Sequence, residues 1–111
     1  MKKIILPFIF LTLFALASKA DPAKKVNLIY KSDTLSIEIV HPVKNANDHY
    51  IDLIIVLIDD KEFKTYKPKK QTNINAELMK IVIPKLKKGS EIVVKTRCNQ
   101  FGNKNGSLDV Q

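Results

Sequence analysis

The chain has 111 residues, of which 19 are basic and 11 acidic, for a formal net charge of +8, and it holds a single cysteine. One cysteine excludes an internal disulfide framework. The basic surplus is lysine spread over residues 24–25, 67–70, 85–88 and 95 with no arginine cluster or aromatic stacking platform, which speaks for solvated faces and against nucleic-acid binding.

The first twenty residues, MKKIILPFIFLTLFALASKA, place Lys2 and Lys3 before an apolar run from Ile4 to Ala17 and then Ser18-Lys19-Ala20. Basic head, short apolar centre and small-x-small end are the pattern of a secretory signal peptide cut after Ala20. The apolar run is too short for a bilayer-spanning helix, which needs about 20 residues, and no second such run follows. The expected mature chain is one domain, residues 21–111, exported to the periplasm or the medium and free of the membrane after cleavage. Without Lys2, Lys3 and Lys19, sixteen basic side chains face 11 acidic ones, a net charge of about +5 that favours approach of a small anion.

From residue 26 onward the pattern is strand-like. VNLIY (26–30) and TLSIEIV (34–40) alternate apolar and polar residues, with Ser32-Asp33 as the turn between them. YIDLIIVLI (50–58) is nearly continuous apolar sequence, as expected of a central strand buried on both faces. Tyr50, Ile51, Leu53, Ile55 and Leu57, with Ile92 and Val94 later, are the expected packing positions. Asp59-Asp60 closes a hairpin into KEFKTY (61–66), whose Phe63 is expected to point inward. NINAELMKIVI (73–83) ends in β-branched residues before Pro84, so it reads as a strand that the proline terminates. Lys87-Lys88-Gly89 makes a turn into EIVVKTR (91–97), the last clear strand. NKNGSLDVQ (103–111) reads as a polar, poorly ordered tail. Turns every 8 to 15 residues predict an all-β fold: an immunoglobulin-like antiparallel β-sandwich of about seven strands. Gly-rich phosphate loops, dinucleotide fingerprints and internal repeats are lacking.

Chemistry-bearing residues are few. His41 and His49 bracket one connection, HPVKNANDHY, whose ends can bring both imidazoles to one rim of a sandwich. Cys98 closes the strand that begins at Glu91. By residue type alone Cys98 is a core residue, an intermolecular partner, a redox thiol or a metal ligand. Two imidazoles with a thiolate suit iron, copper or zinc rather than calcium or magnesium.

The strings HP, HYI and, about fifty residues later, CN-x-x-G resemble the iron-binding domain of superoxide reductases, the neelaredoxin and desulfoferrodoxin family. The resemblance spans Val26 to Gly102, with supporting marks in YKP (66–68) and KKGSEIVVKTRCN (87–99). It implies an immunoglobulin-like sandwich holding a mononuclear ferrous ion, with histidine nitrogens around the metal and one axial cysteine. An open position then admits superoxide for reduction to hydrogen peroxide, and a redox protein partner returns the electron. His41 matches the histidine of the HP element, His49 the histidine before the YI strand and Cys98 the axial cysteine. Two further ligands of the family pattern have no match. Phe101 stands where a histidine follows Cys-Asn, and the upstream Glu-Lys-His element falls within residues 1–20, which contain no histidine. The loop from His41 to His49 is also about two residues longer than the family pattern. The resemblance therefore implies at most three protein ligands and a weakly held iron. Phe101 reads as an apolar plug, Asn99 and Gly102 as turn-shaping residues and Lys44 as a charge beside the site.

Two other classes compete. A binding or carrier module resembling the small sandwich subunit of the thiosulfate-oxidising sulfur-carrier complex shares the HP loop and the late KKG strand. A blue-copper carrier needs a histidine, and commonly a methionine, soon after the cysteine, and neither follows Cys98.

Overall fold

The computed structural model describes residues 21–111; the expected signal peptide, residues 1–20, lies outside them. Seven strands follow in order: β1 (Lys25–Lys31), β2 (Thr34–Val40), β3 (Ile51–Ile58), β4 (Lys61–Tyr66), β5 (Ala76–Val82), β6 (Glu91–Cys98) and β7 (Asn103–Asp109). They form a three-stranded sheet, β1-β2-β5, and a four-stranded sheet, β4-β3-β6-β7, with every pair antiparallel. The all-β sandwich expected from the alternation is the observed architecture.

Local chemistry explains the hairpins. Ser32 and Asp33 have φ of 52° and 59°, and Asp59 and Asp60 have 49° and 68°. Two consecutive left-handed residues give a two-residue turn whose twist matches that of the flanking strands. Asp33 and Asp59 add support, since their Oδ1 atoms accept from Lys85 N–H at 3.1 Å and Glu91 N–H at 2.9 Å. β5 stops two residues before Pro84, as the missing proline N–H requires.

The core lies between the sheets and is built from Leu35, Ile37 and Ile39 of β2, Ile81 of β5, Ile51, Ile54 and Val56 of β3, and Ile92 and Val94 of β6. Each of these side chains contributes roughly 1.5–3 kcal/mol on leaving water. One feature of β3 departs from simple alternation. Ile51 pairs with Cys98 and Leu53 with Arg97, so Asp52 is an extra residue, a β-bulge in the β3–β6 ladder. After the bulge the inward positions are Ile54 and Val56, while Leu53, Ile55 and Leu57 turn to the outer face and are half-buried. The expectation that Leu53, Ile55 and Leu57 fill the core, and that β3 is buried on both faces, is corrected by that one inserted residue and by the lack of a third layer. Tyr50, outside the strand, is likewise only half-buried.

Two other expectations fail. Phe63 is 42% exposed rather than inward, because β4 is an edge strand that carries exposed residues over most of its length. Residues 103–109 are an ordered strand rather than a loose tail. β7 pairs with β6 along its whole length, and Val110 is buried. Backbone pairing and close approach hold it: a Cβ on Gly106 would lie 2.7 Å from Val26 on β1. Glycine at that position is what lets β7 lie against the opposite sheet.

The parity of β3 predicts unequal responses to truncation. Ile54→Ala lowers unfolding free energy by about 3 kcal/mol, and Leu53→Ala by about 1 kcal/mol, in denaturant titrations. Equal losses would contradict the bulged register.

Candidate metal centre

Four segments meet at one end of the sandwich: the β2–β3 connection 41–50, the β4–β5 connection 67–75, the turn 98–102 after β6, and residues 21–24 ahead of β1. The bulge at Asp52 sets the distance between the first and third of these. By moving Ile51 opposite Cys98, it draws Tyr50 and His49 one residue closer to the end of β6 than an unbulged strand would. Asn99 then locks the junction. Its Oδ1 accepts from Tyr50 N–H at 2.9 Å, its N–H donates to Tyr50 O at 2.9 Å, and its Nδ2 donates to Asp48 O at 3.0 Å. Asn45 orders the loop itself, accepting from Asn47 N–H at 2.9 Å, while Asn45 O accepts from His49 N–H at 3.0 Å. On the outer face Arg97 clamps the bulge by donating from Nε to Asp52 Oδ1 at 2.9 Å. The hydrogen bond to Asp52, and next its negative charge, raise the Arg97 pKa above the ordinary guanidinium value.

The three side chains singled out from sequence are brought together. One donor atom from each of His41, His49 and Cys98 lies within 4.8 Å of the others. The imidazoles meet edge to face, with centroids 4.8 Å apart and planes at 87°. His49 Nε2 is 3.2 Å from Cys98 Sγ, which also accepts from Gln100 N–H at 3.4 Å. His41 and Cys98 are buried, 1% and 3% exposed, whereas His49 faces an open cleft of about 580 Å³. Lys44 stands in the wall of that cleft, as a charge beside the site should, with Asp21, Asp48 and Gln100 among its neighbours.

Gln71 and Asp21 complete the surroundings, and neither was singled out from the sequence. Gln71, 3% exposed, donates from Nε2 to His41 O at 2.8 Å and to Asn73 O at 3.0 Å. Those two bonds fix its Oε1 as an acceptor, so His41 Nδ1, 2.7 Å away, carries the ring proton. The network therefore assigns His41 Nε2 as a lone pair when the ring is neutral. That nitrogen is 3.1 Å from the carbonyl oxygen of Asp21, another acceptor. His49 Nε2 is 3.0 Å from Asp21 Oδ2 as well as 3.2 Å from the thiol. The ring nitrogens thus face oxygen and sulfur atoms across this cluster at 3.0–3.2 Å, and either a proton or a metal ion between them satisfies each pair. The donor set of two imidazoles and a thiol fits a transition metal or zinc.

Phe101 is 62% exposed and does not plug the site. Its backbone does the local work, with Phe101 O accepting from Asp21 N–H at 2.9 Å. Gly102 and Asn99 are the turn residues expected. Gly102 has φ +107°, and a Cβ there would lie 2.8 Å from Pro22.

Two solved structures share this arrangement of strands. A superoxide reductase (1Fe-SOR) from Giardia intestinalis superposes with a TM-score of 0.61 at 13% identity, covering 84% of this chain and 100% of that one. A second superoxide reductase, solved in the oxidised state, superposes with a TM-score of 0.51 at 12% identity, covering 86% and 91%. The chain has a superoxide reductase fold. No protein-family model matches it, and no curated protein sequence does. Within the superoxide reductase fold this chain brings two histidines and one cysteine to the end of the sandwich.

Two substitutions probe the site. Gln71→Leu strands the His41 Nδ1 proton and the buried His41 carbonyl, and lowers stability by about 2–3 kcal/mol by chemical denaturation. Phe101→His adds an imidazole that points to solvent, so cobalt or iron affinity, measured by chelator competition, stays within about two-fold of the parent.

Proposed function

We propose that this chain is an exported mononuclear iron protein of superoxide reductase type, with His41, His49 and Cys98 as metal donors and superoxide as substrate. The observation that carries the reading is the convergence of these three donors within 4.8 Å at one end of a sandwich shared with superoxide reductases. Export rests on the leader pattern of residues 1–20.

Ferrous iron, when bound, supplies the one electron that with two protons converts superoxide to hydrogen peroxide. The protein's residues create the conditions for it. Cys98, on the last position of β6, presents sulfur from the buried side, and the N–H of Gln100 tempers the charge on that sulfur. Gln71 orients His41 by holding the Nδ1 proton, leaving Nε2 for the metal. Access is through the cleft beside His49, where Lys44 and the basic surplus of residues 21–111 draw in a small anion. The electron is returned by a redox protein partner.

A second reading, a metal-free binding or carrier module, is favoured by the 3.2 Å contact between His49 and Cys98, which closes the cluster without an ion.

Anaerobic purification, elemental analysis and visible spectroscopy separate the two. Stoichiometric iron, a thiolate-to-iron band on oxidation that Cys98→Ser abolishes, and superoxide consumption without oxygen release are expected for the iron protein. Metal-free protein that recovers a stable partner from periplasmic extract supports the carrier module instead.

A further inference from the structure

Beyond the three donors lies a fourth group placed with equal care. Asp21 is held from both sides. Its N–H donates to Phe101 O at 2.9 Å, Pro22 packs into the notch left by Gly102, Ala23 is 3% exposed in the core, and Lys24 N–H donates to Val40 O at 2.7 Å. A side chain at Gly102 would evict Pro22, and the positive φ there already requires glycine. The turn after Cys98 is therefore shaped to seat residues 21–22 across the site. So seated, Asp21 places Oδ2 3.0 Å from His49 Nε2 and its carbonyl oxygen 3.1 Å from His41 Nε2, while its side chain is 58% exposed and free to adjust.

We propose that Asp21 supplies a fourth protein donor, its side-chain carboxylate, to the metal centre formed by His41, His49 and Cys98. The proposal rests on reading that cluster as a metal centre. Two imidazoles and a thiolate leave a divalent ion with one positive charge, and the carboxylate neutralises it. A carboxylate oxygen is also a good donor to ferrous iron, cobalt and zinc, and with the other three it makes a four-donor set without Phe101. Among the described residues no other carboxylate touches these side chains: Asp48 lines the same cleft, but its Oδ2 accepts from Asn45.

Cobalt(II) serves as the probe, bound anaerobically to protein expressed from the full chain, with affinity read by chelator competition and geometry by the visible d–d bands. Asp21→Asn weakens binding at least about ten-fold and shifts the bands, because an amide is a poorer ligand. Asp21→Glu retains most of the affinity, and Asp48→Asn stays within about two-fold. Circular dichroism checks that each variant keeps the sandwich, as expected for an exposed side chain.

Asp21→Asn protein with unchanged affinity and bands overturns the proposal. So does an equal loss in Asp48→Asn, which assigns the effect to long-range charge. Parent protein that binds no cobalt, with no band dependent on Cys98, overturns the metal centre itself and this proposal with it. Parent binding that depends on Cys98 but ignores Asp21 overturns only the fourth donor.

Discussion

The pairing of β3 with β6, interrupted by one bulge at Asp52, is the constraint from which the site follows. β6 ends at Cys98, and its inward parity puts the sulfur at the edge of the core. The bulge resets β3 so that Ile51 lies opposite Cys98, and only then can His49 reach to 3.2 Å from Sγ. An unbulged strand would keep the same composition and the same hydrophobic run, yet set His49 one residue further away. Arg97 and Asp52, bridged across the outer face, stabilise the distortion where it is needed. Bulges serve in this way at the rims of β-sandwiches, re-aiming a side chain at modest expense to the ladder.

Around that pair the remaining groups are arranged by hydrogen bonding rather than by apolar packing. Gln71 links two crossovers, since its N–H donates to Ala46 O at 2.9 Å while its side chain holds both the ring and the carbonyl of His41. A buried amide in this position fixes ring orientation and tautomer together, the combination that a metal-ligating imidazole requires. The oxygens of Asp21 then meet Nε2 of both histidines, at 3.1 Å and 3.0 Å, on the side where Cys98 presents its sulfur. For a metal held at such a cluster, retention and access pull in opposite directions. Fewer donors weaken retention of the metal but leave more positions for a small anion.

Much of the fold was legible in the residues. Ser32-Asp33 and Asp59-Asp60 announced two-residue turns, Pro84 ended β5, and the alternation in TLSIEIV fixed which face of β2 is core. The misreadings have distinct physical causes. β7 was hidden because its outer face is asparagine, serine and aspartate and its inner face is lysine, glycine and leucine, so hydrophobicity carries little of its signal; backbone pairing to β6 and the Gly106 approach to Val26 do the work. Phe63 was expected to point inward and Phe101 to plug the site, but an edge strand and a rim turn leave both in solvent. Leu53, Ile55 and Leu57 were placed on the wrong face because Asp52, the one charged residue of the run, reads equally well as an outward position of a regular strand and as an inserted bulge residue.

By itself the sequence determined the class of fold and the identity of His41, His49 and Cys98, because alternation, turn residues and rare residue types act over short distances. The tertiary structure decided whether those three meet, and from which side each presents its donor atom. That depends on strand register, on a bulge and on crossovers between sheets, all set by pairing across tens of residues. It also decided the parts played by Gln71 and Asp21. One lies in an unremarkable polar connection and the other at the start of the expected mature chain, and nothing local distinguishes either from a solvated residue until the fold places them 2.7 Å and 3.0 Å from a histidine nitrogen.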